Sequence, residues 1–344
     1  MNTTPSLVFI MPSTSLHGGN RIVFEFAERL EDRGYRVKVV SPEPAPDWHP
    51  VRIPYEQVPI YEPGAIAPAD IAIGTYYPTM HPAMGSGSKH VFHLCQGYEG
   101  VHREFAPKMS EIDAAYNLPV PKILISPHLK PVLEDKYGCR CHVLGQGIDR
   151  QVFQTRPFVE QGGPLRVGVV GPFGVRPKGI HELLEGFRLA RAEGIELEVF
   201  HASAEPLTER EASEGNTDHF FHHLPTSEMP SFYHRLDAYF HPSHDEEGFP
   251  LPPLEAMACG VPVALTTIRP FAILPDDCVL RFPPGKPSAV VSIVRRLLSK
   301  ELRQRLRDAA LVALEEFSFD RVIDRMEAAF SAEGAPTASR EAVG

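Results

Sequence analysis

Short apolar runs recur along the chain with enough sequence between them for a helix each time. LVFIMP (7–12) leads into SLHGGN (15–20) and then RIVFEFAERLEDRG, where Ile22, Phe26 and Leu30 recur at helical spacing. Gly34 stops that helix and YRVKVVSP reads as the next strand, so the chain opens with a right-handed βαβ unit. Further apolar runs at IAIG (71–74), HVFHL (90–94), KILIS (122–126) and CHVLG (141–145) are separated by crossover-length segments, as a parallel sheet requires.

RPFVEQGGPLR (156–166) has the Pro, Gly and polar content of a linker, and the same pattern restarts after it. RVGVVG (166–171) is a strand, KGIHELLEGFRLARAEG (178–194) an amphipathic helix and IELEVFHA (195–202) a strand. AYFHPS (238–243) and VPVALT (261–266) bracket a short helix at LEAMAC whose start is marked by Pro252 and Pro253. CVLRF (278–282) is followed by helical stretches at 287–299, 301–316 and 318–331. The expected organisation is a first Rossmann-like domain over 1–157, a linker at 158–165 and a second Rossmann-like domain over 166–317. A helix at 318–331 would pack back on the first domain, and 332–344 would form a flexible tail. At 344 residues and 43% hydrophobic side chains the chain has room for two such cores.

A formal charge of −10 argues against a dedicated nucleic-acid binder. No run approaches the roughly 18–20 apolar residues of a membrane-spanning helix, and MNTTPSLVFIMP lacks the basic start and apolar core of a signal peptide. The expectation is a soluble, cytoplasmic protein with room for weak peripheral contact at the inner face of the membrane. Most of the negative balance lies in the second half, which leaves the first half better suited to such contact. Five cysteines, with a lone C-x-C at Cys139 and Cys141, make neither a disulfide framework nor a zinc site. The histidines of DHFFHHL (218–224), including His219 and His222, read as solvated loop residues, and no metal is expected.

The chemistry concentrates in HPSHDEEGFPLPPLEAMACG (241–260), where Glu247 sits in a loop after a strand and Glu255 in the first turn of the next helix. A carboxylate at a strand end suits a pair of sugar hydroxyls, because its two oxygens accept two O–H donors. Between the glutamates, the backbone N–H groups of Gly248, Phe249 and Leu251 can meet sugar hydroxyls or phosphate, whereas Pro250 and Pro252 donate nothing. Taken singly, either glutamate is an acidic helix start that complements the macrodipole.

Taken together, EGFPLPPLEAMACGVPV resembles the E-x7-E motif of the family 4 retaining glycosyltransferases, which adopt the GT-B fold. The resemblance implies an α/β architecture of two Rossmann-like, doubly wound domains facing an interdomain cleft. It also implies that Glu247 contacts the donor sugar and Glu255 the nucleotide ribose. HGGN (17–20) is similar to the family's glycine-rich loop near the donor diphosphate, with Gly18 and Gly19 letting the backbone approach an anion at a helix N-terminus. VLGQGIDRQVF (143–153) is similar to the segment before the family's interdomain linker, with Gln146 where asparagine is usual. RVGVVGPFGVRPKGIHELLEGF (166–187) resembles the family's strand, basic loop and helix, which puts Lys178 on the leaving diphosphate. The family usually carries an arginine directly after the strand's glycine; this chain has Pro172 there, and Arg176 is the candidate substitute. In VFHLCQGYEGVHREF (91–105), Gln96, Tyr98 and Glu99, with His17 of the glycine loop, are acceptor-side candidates, and the Gln-x-Tyr-Glu run resembles a subset that builds surface polysaccharides.

The resemblance implies transfer of a hexose or deoxyhexose from a nucleotide-sugar to a hydroxyl of a sugar, lipid-linked or small-molecule acceptor, in polysaccharide, glycolipid or glycoside biosynthesis. Transfer would proceed with retention and without metal or other cofactor. Two other readings stand beside it. A catalytically silent sugar-nucleotide binder of the same fold is suggested by Pro172. A nicotinamide-dependent Rossmann oxidoreductase is suggested by the strand, Gly-Gly loop and helix, with Glu43 after the second strand, although SLHGGN departs from G-x-G-x-x-G.

Overall fold

The structure is a computed structural model that describes residues 4–62, 64–159 and 162–338. The chain divides into two compact units, one of Met1–Gln146 with Phe319–Gly344 and the other of Gly147–Ser318. The first unit runs β1 (Ser6–Ile10), α1 (Gly18–Asp32), β2 (Arg36–Ser41), β3 (Tyr55–Gln57), β4 (Ile71–Gly74), α2 (Met80–Gly85), β5 (His90–Cys95), α3 (Met109–Tyr116), β6 (Lys122–Leu124), α4 (Leu129–Tyr137) and β7 (Cys141–Val143). Its seven strands form one sheet in the order β3-β2-β1-β4-β5-β6-β7, with every pairing parallel. A parallel sheet is covered on both faces, so its central strands are apolar throughout instead of alternating. All four residues of β4, Ile71–Gly74, are buried accordingly.

The second unit runs β8 (Leu165–Val170), α5 (Ile180–Ala192), β9 (Leu197–Ser203), α6 (Glu209–Glu214), β10 (His219–His222), α7 (Met229–Tyr233), β11 (Ala238–His241), α8 (Pro252–Ala258), β12 (Val263–Thr266), β13 (Val279–Phe282), α9 (Pro287–Leu297) and α10 (Lys300–Ala313). Its six strands are also all parallel, in the order β10-β9-β8-β11-β12-β13. In both sheets the winding reverses between two neighbouring strands, β1 and β4 in the first and β8 and β11 in the second. The carboxyl ends of such a pair are where connecting loops diverge to opposite faces and leave space for a ligand.

α11 (Phe319–Ala332) belongs to the first unit and packs along α1. Arg33 reaches Asp324 at 2.8 Å and Asp320 and Glu327 at 3.2 Å, and the Arg29 guanidinium lies 4.0 Å from the centre of the Phe319 ring. Beneath them Phe330 is fully buried, with ring centres 5.0 Å from Phe92 and 6.2 Å from Tyr35.

Three features depart from the elements read in the sequence. Residues 147–157 join the second unit, not the first: Ile148 bridges Ser318, Thr155 donates to the Ala258 carbonyl at 2.7 Å, and Phe153 lies 6.3 Å from Tyr233. Of the linker expected at 158–165, residues 160 and 161 lie outside the described residues. The tail expected over 332–344 is anchored at its start, where Glu333 pairs with Arg140 and His142 and Ala335 is buried; 339–344 lie outside the described residues. The 219–222 run is the edge strand β10 and not a loop, with His219 bonded to Glu198 and stacked on Phe200 of β9.

Because Phe330 fills the space between α11 and the first sheet, Phe330→Ala should cost about 3–5 kcal/mol of unfolding free energy through the cavity it leaves. Urea unfolding monitored by circular dichroism measures this, and a loss below about 1 kcal/mol would show that α11 is not part of the first core.

Candidate active site

Two loops leave the β8 and β11 strand ends of the second unit, and Arg176, Lys178, Glu247, Gly248, Phe249 and Leu251 lie on them. The loop after β8 closes through a short helical turn, Arg176–Lys178, and Gly179 then starts α5 with φ +63°. A side chain at Gly179 would strike the Pro242 carbonyl, so the glycine lets the β8 loop press directly on the β11 loop. The His244 N–H donates to the Pro177 carbonyl at 2.8 Å and laces the two loops together.

On this frame Lys178 Nζ meets Glu247 Oε1 at 2.8 Å, with the carboxylate only 14% exposed. Arg176 lies further out and pairs with Glu246 at 3.8 Å, an exposed contact of little energetic weight. The Glu247 N–H donates to the His244 carbonyl at 3.3 Å, which curls the chain into the turn that carries the carboxylate. Lys178 and Glu247 are thus held as a cation and an anion side by side, able to engage a ligand that carries both anionic and hydroxyl groups.

Glu255 stands in the first turn of α8, whose first two positions are Pro252 and Pro253. It is buried, and its Oε2 accepts from the Tyr233 hydroxyl at 2.6 Å. Burial, reinforced by the Glu255 charge, pushes the Tyr233 hydroxyl well above its ordinary pKa and keeps it a proton donor. Phe249 and Leu251 turn their side chains inward, Phe249 packing against Phe271 and Phe317 at 6.0 and 5.9 Å between ring centres. Only their backbones, with that of Gly248, remain as possible ligand contacts.

Under the β11 loop lies a buried chain of polar groups. His241 Nδ1 is 3.0 Å from the Tyr239 hydroxyl and Nε2 is 2.9 Å from the Ser243 hydroxyl, while Thr266 donates to the Ser243 carbonyl at 2.6 Å. Desolvation first, and then the Lys178 charge, drive the His241 imidazole well below its usual pKa, so it is neutral and can serve one hydroxyl as donor and the other as acceptor.

In the first unit, His17 precedes α1 in extended conformation and Gly18 and Gly19 are its first two residues. Gln96, just beyond β5, is brought against this turn: a Cβ at Gly19 would come within 3.1 Å of Gln96 Oε1. Tyr98 and Glu99 are engaged elsewhere. The Tyr98 hydroxyl lies 2.8 Å from that of Tyr137 and accepts from Lys136, and Glu99 Oε2 accepts from the Tyr116 hydroxyl at 2.7 Å. Burial raises the Glu99 pKa above the ordinary carboxylate range, partly offset by that hydrogen bond. Glu43, which a dinucleotide-binding reading requires for a ribose, instead accepts from the Thr14 N–H at 2.7 Å.

Sequence spacing does not reveal Tyr233, which lies 22 positions before Glu255, or the Arg176–Glu246 contact. Neither has periodicity or motif context, and only the folded chain joins them.

Residues 153–311 match the family model described as Glycosyl transferases group 1. That match lies within the second unit and spans 159 of the 344 residues, so it is the second unit that is similar to this family. It is 27% identical over 183 residues to O-antigen chain mannosyltransferase B of Escherichia coli, a match that covers 49% of this chain and 45% of the relative, so less than half of that relative's length is represented. Among solved structures it is similar to sucrose-phosphate synthase from Thermosynechococcus elongatus (TM-score 0.79, 16% identity, 96% of this chain and 99% of that one). It is also similar to HepE from Anabaena in complex with UDP-glucose (TM-score 0.78, 14% identity, 95% of this chain and 100% of that one). These likenesses establish the GT-B fold expected from the sequence, with two parallel-sheet α/β units of seven and six strands. No helix among the described residues is long and apolar enough to cross a membrane.

The two fully buried, neutral histidines, His241 and His93, have folded pKa values below the ordinary 6.5. A histidine depressed in the folded state binds its proton only on unfolding, so its cost is absent above pH 6.5 and grows as the pH falls below it. Each should remove about 1.4 kcal/mol of stability between pH 7.5 and 5.5. Urea midpoints across that range in wild type and His241→Asn test this; an unchanged pH slope in the variant would refute the assignment to His241.

Proposed function

We propose that this chain is a glycosyltransferase that moves a hexose or deoxyhexose from a nucleotide-sugar donor to a hydroxyl acceptor, with retention of configuration and without a metal ion. The observation that carries the proposal is the Lys178–Glu247 pair, 2.8 Å apart on two laced loops at the switch point of the second sheet. A nucleotide-sugar presents a diphosphate and a polyol side by side, which is the complement of that pair. The similarity of the second unit to the glycosyl transferases group 1 model and to the mannosyltransferase relative supports the same reading.

As the glycosidic bond to the diphosphate breaks, negative charge grows on the departing phosphate oxygen. Lys178, supported by Arg176 and the amino terminus of α5, stabilises that charge, so positive groups of the chain itself fill the place a divalent cation takes elsewhere. Glu247, released from Lys178 as the phosphate takes over the ammonium, accepts hydroxyls of the donor sugar and orients its ring. Glu255, its carboxylate oriented by Tyr233, receives the ribose hydroxyls. Front-face attack by the acceptor hydroxyl needs no enzyme nucleophile. On the first unit, His17, the Gly18-Gly19 turn and Gln96 form the acceptor-side surface, and the acceptor is a sugar, lipid-linked or small hydroxyl compound of polysaccharide, glycolipid or glycoside synthesis. Work at the inner face of the membrane, from the cytoplasm, follows from a lipid-linked acceptor.

A silent sugar-nucleotide binder is favoured by one observation, Pro172 in place of an arginine, and turnover separates the two readings. A thermal-shift screen of nucleoside diphosphates and their sugars identifies the donor, since a ligand at 100 times its Kd adds about 2.7 kcal/mol of apparent stability. With that donor, Lys178→Ala should lower kcat by about 10²–10³ and Glu247→Ala should reduce kcat more than it raises KM. Glu255→Ala should chiefly weaken the nucleoside diphosphate. Activity that persists in EDTA and an α-linked product from an α-linked donor, read by NMR, check metal independence and retention. Tight donor binding with no transfer to any hydroxyl would establish the silent binder instead.

A further inference from the structure

Beneath the β8 loop lies a buried histidine–glutamate pair that no motif reveals. His201 of β9 is fully buried, and both its ring nitrogens face acceptors. Nδ1 is 2.6 Å from Glu211 Oε1 and Nε2 is 2.6 Å from the Gly171 carbonyl oxygen. A carbonyl can only accept, so Nε2 carries a hydrogen and donates it to Gly171. A second hydrogen lies between Nδ1 and Glu211, whose Oε1 also accepts the Thr217 hydroxyl at 2.9 Å and which is itself 2% exposed. Whichever partner holds that hydrogen, the bond to Gly171 persists, and it is strongest when the imidazole is charged.

Gly171 is the first residue after β8 and begins the run that ends at Lys178. Its φ of +142° belongs to the range that side-chain-bearing residues avoid, and its N–H is already bonded to the Ala202 carbonyl at 2.9 Å. The next residue, Pro172, has no N–H. The peptide unit joining 171 to 172 therefore offers a single polar handle, the Gly171 carbonyl, and His201 holds it. A rotation of that unit would swing every residue after it, Arg176 and Lys178 included.

We propose that His201 and Glu211 are a positioning pair for the phosphate-binding loop: the imidazole fixes the Gly171 carbonyl, Glu211 fixes the imidazole, and together they set where Arg176 and Lys178 meet a nucleoside diphosphate. This rests on the donor-site reading of Lys178 given above. The pair takes no part in bond making or breaking. Its effect falls on the diphosphate and spares the nucleoside, which is held by groups on the β11 side.

Calorimetric titration of wild type, His201→Phe and Glu211→Gln with UDP and GDP, and with uridine and guanosine, tests the proposal. His201→Phe should weaken the diphosphate about tenfold, the worth of one buried hydrogen bond, and alter nucleoside affinity less than about twofold. Glu211→Gln can donate its amide hydrogen to Nδ1 and leave Nε2–H on Gly171, so its diphosphate affinity should stay within about threefold of wild type. Unchanged diphosphate affinity in a folded His201→Phe protein, or equal losses for diphosphate and nucleoside, would overturn the positioning role. If His201→Phe does not fold, His201→Gln combined with Glu211→Gln replaces it: the glutamine amide reaches the Gly171 carbonyl, so near-wild-type diphosphate affinity supports the proposal and a tenfold loss refutes it. Wild-type protein that binds neither diphosphate would instead bring down the donor-site reading itself.

Discussion

The contact between Gly179 and the Pro242 carbonyl is the constraint on which the second unit's site depends. Two neighbouring parallel strands, β8 and β11, send their loops to opposite faces of the sheet, and the loops would drift apart unless something held them at their roots. A residue without Cβ permits direct backbone contact, and the His244 N–H bonded to the Pro177 carbonyl closes the lace just beyond it. With the roots fixed, a lysine on one loop and a glutamate on the other fall 2.8 Å apart without either side chain having to search for its partner. For the proposed leaving-group role, such preorganisation matters more than the strength of the pair, because charge that develops in a transition state is best met by groups that need not move.

The polar residues under these loops have a consistent logic. His241 is kept neutral by burial and by Lys178, so the chain does not stack a second positive charge beneath its lysine. His201 is treated differently, since a carboxylate accompanies it into the core and the two together carry no net charge whichever holds the proton. Each histidine has a partner for both ring nitrogens: His241 ties the end of β11 to the loop that follows it, and His201 of β9 holds the first residue after β8. Buried polar groups of this kind add little net stability but restrict the backbone to one arrangement.

The first unit combines an open turn with an engaged aromatic cluster. The Gly18-Gly19 turn and Gln96 lie together beyond the carboxyl ends of β1 and β5, the strands on either side of β4, whereas Tyr98 and Glu99, only a few residues on, are drawn into the tyrosines of α3 and α4. Proximity in sequence makes Gln96, Tyr98 and Glu99 look alike as candidates. The bend at Gln96 and Gly97, directly after β5, separates them by turning the chain before Tyr98.

Much of the architecture is legible in the chain's own pattern. Runs of buried apolar residues separated by helix-length segments can hardly fold other than as parallel sheets, and the pattern locates most strands to within a few residues because burial on both faces leaves no polar position to confuse the boundary. The edge strand β10 is hidden, since its outward histidines look like a loop when its partner β9 is unknown. The boundary near Gln146 is hidden because Ile148 and Phe153 are assigned by what they touch and not by their composition. Glu247, Glu255 and Lys178 are marked by local motif chemistry, which needs only neighbouring residues. Tyr233 on Glu255, Glu246 on Arg176, and His201 with Glu211 on Gly171 join segments well separated along the chain, and such pairings exist only once the sheet order has been chosen. Local chemistry is written in the chain, whereas the partners that orient it are decided by topology, because hydrogen bonds act over about 3 Å of space and are blind to sequence distance.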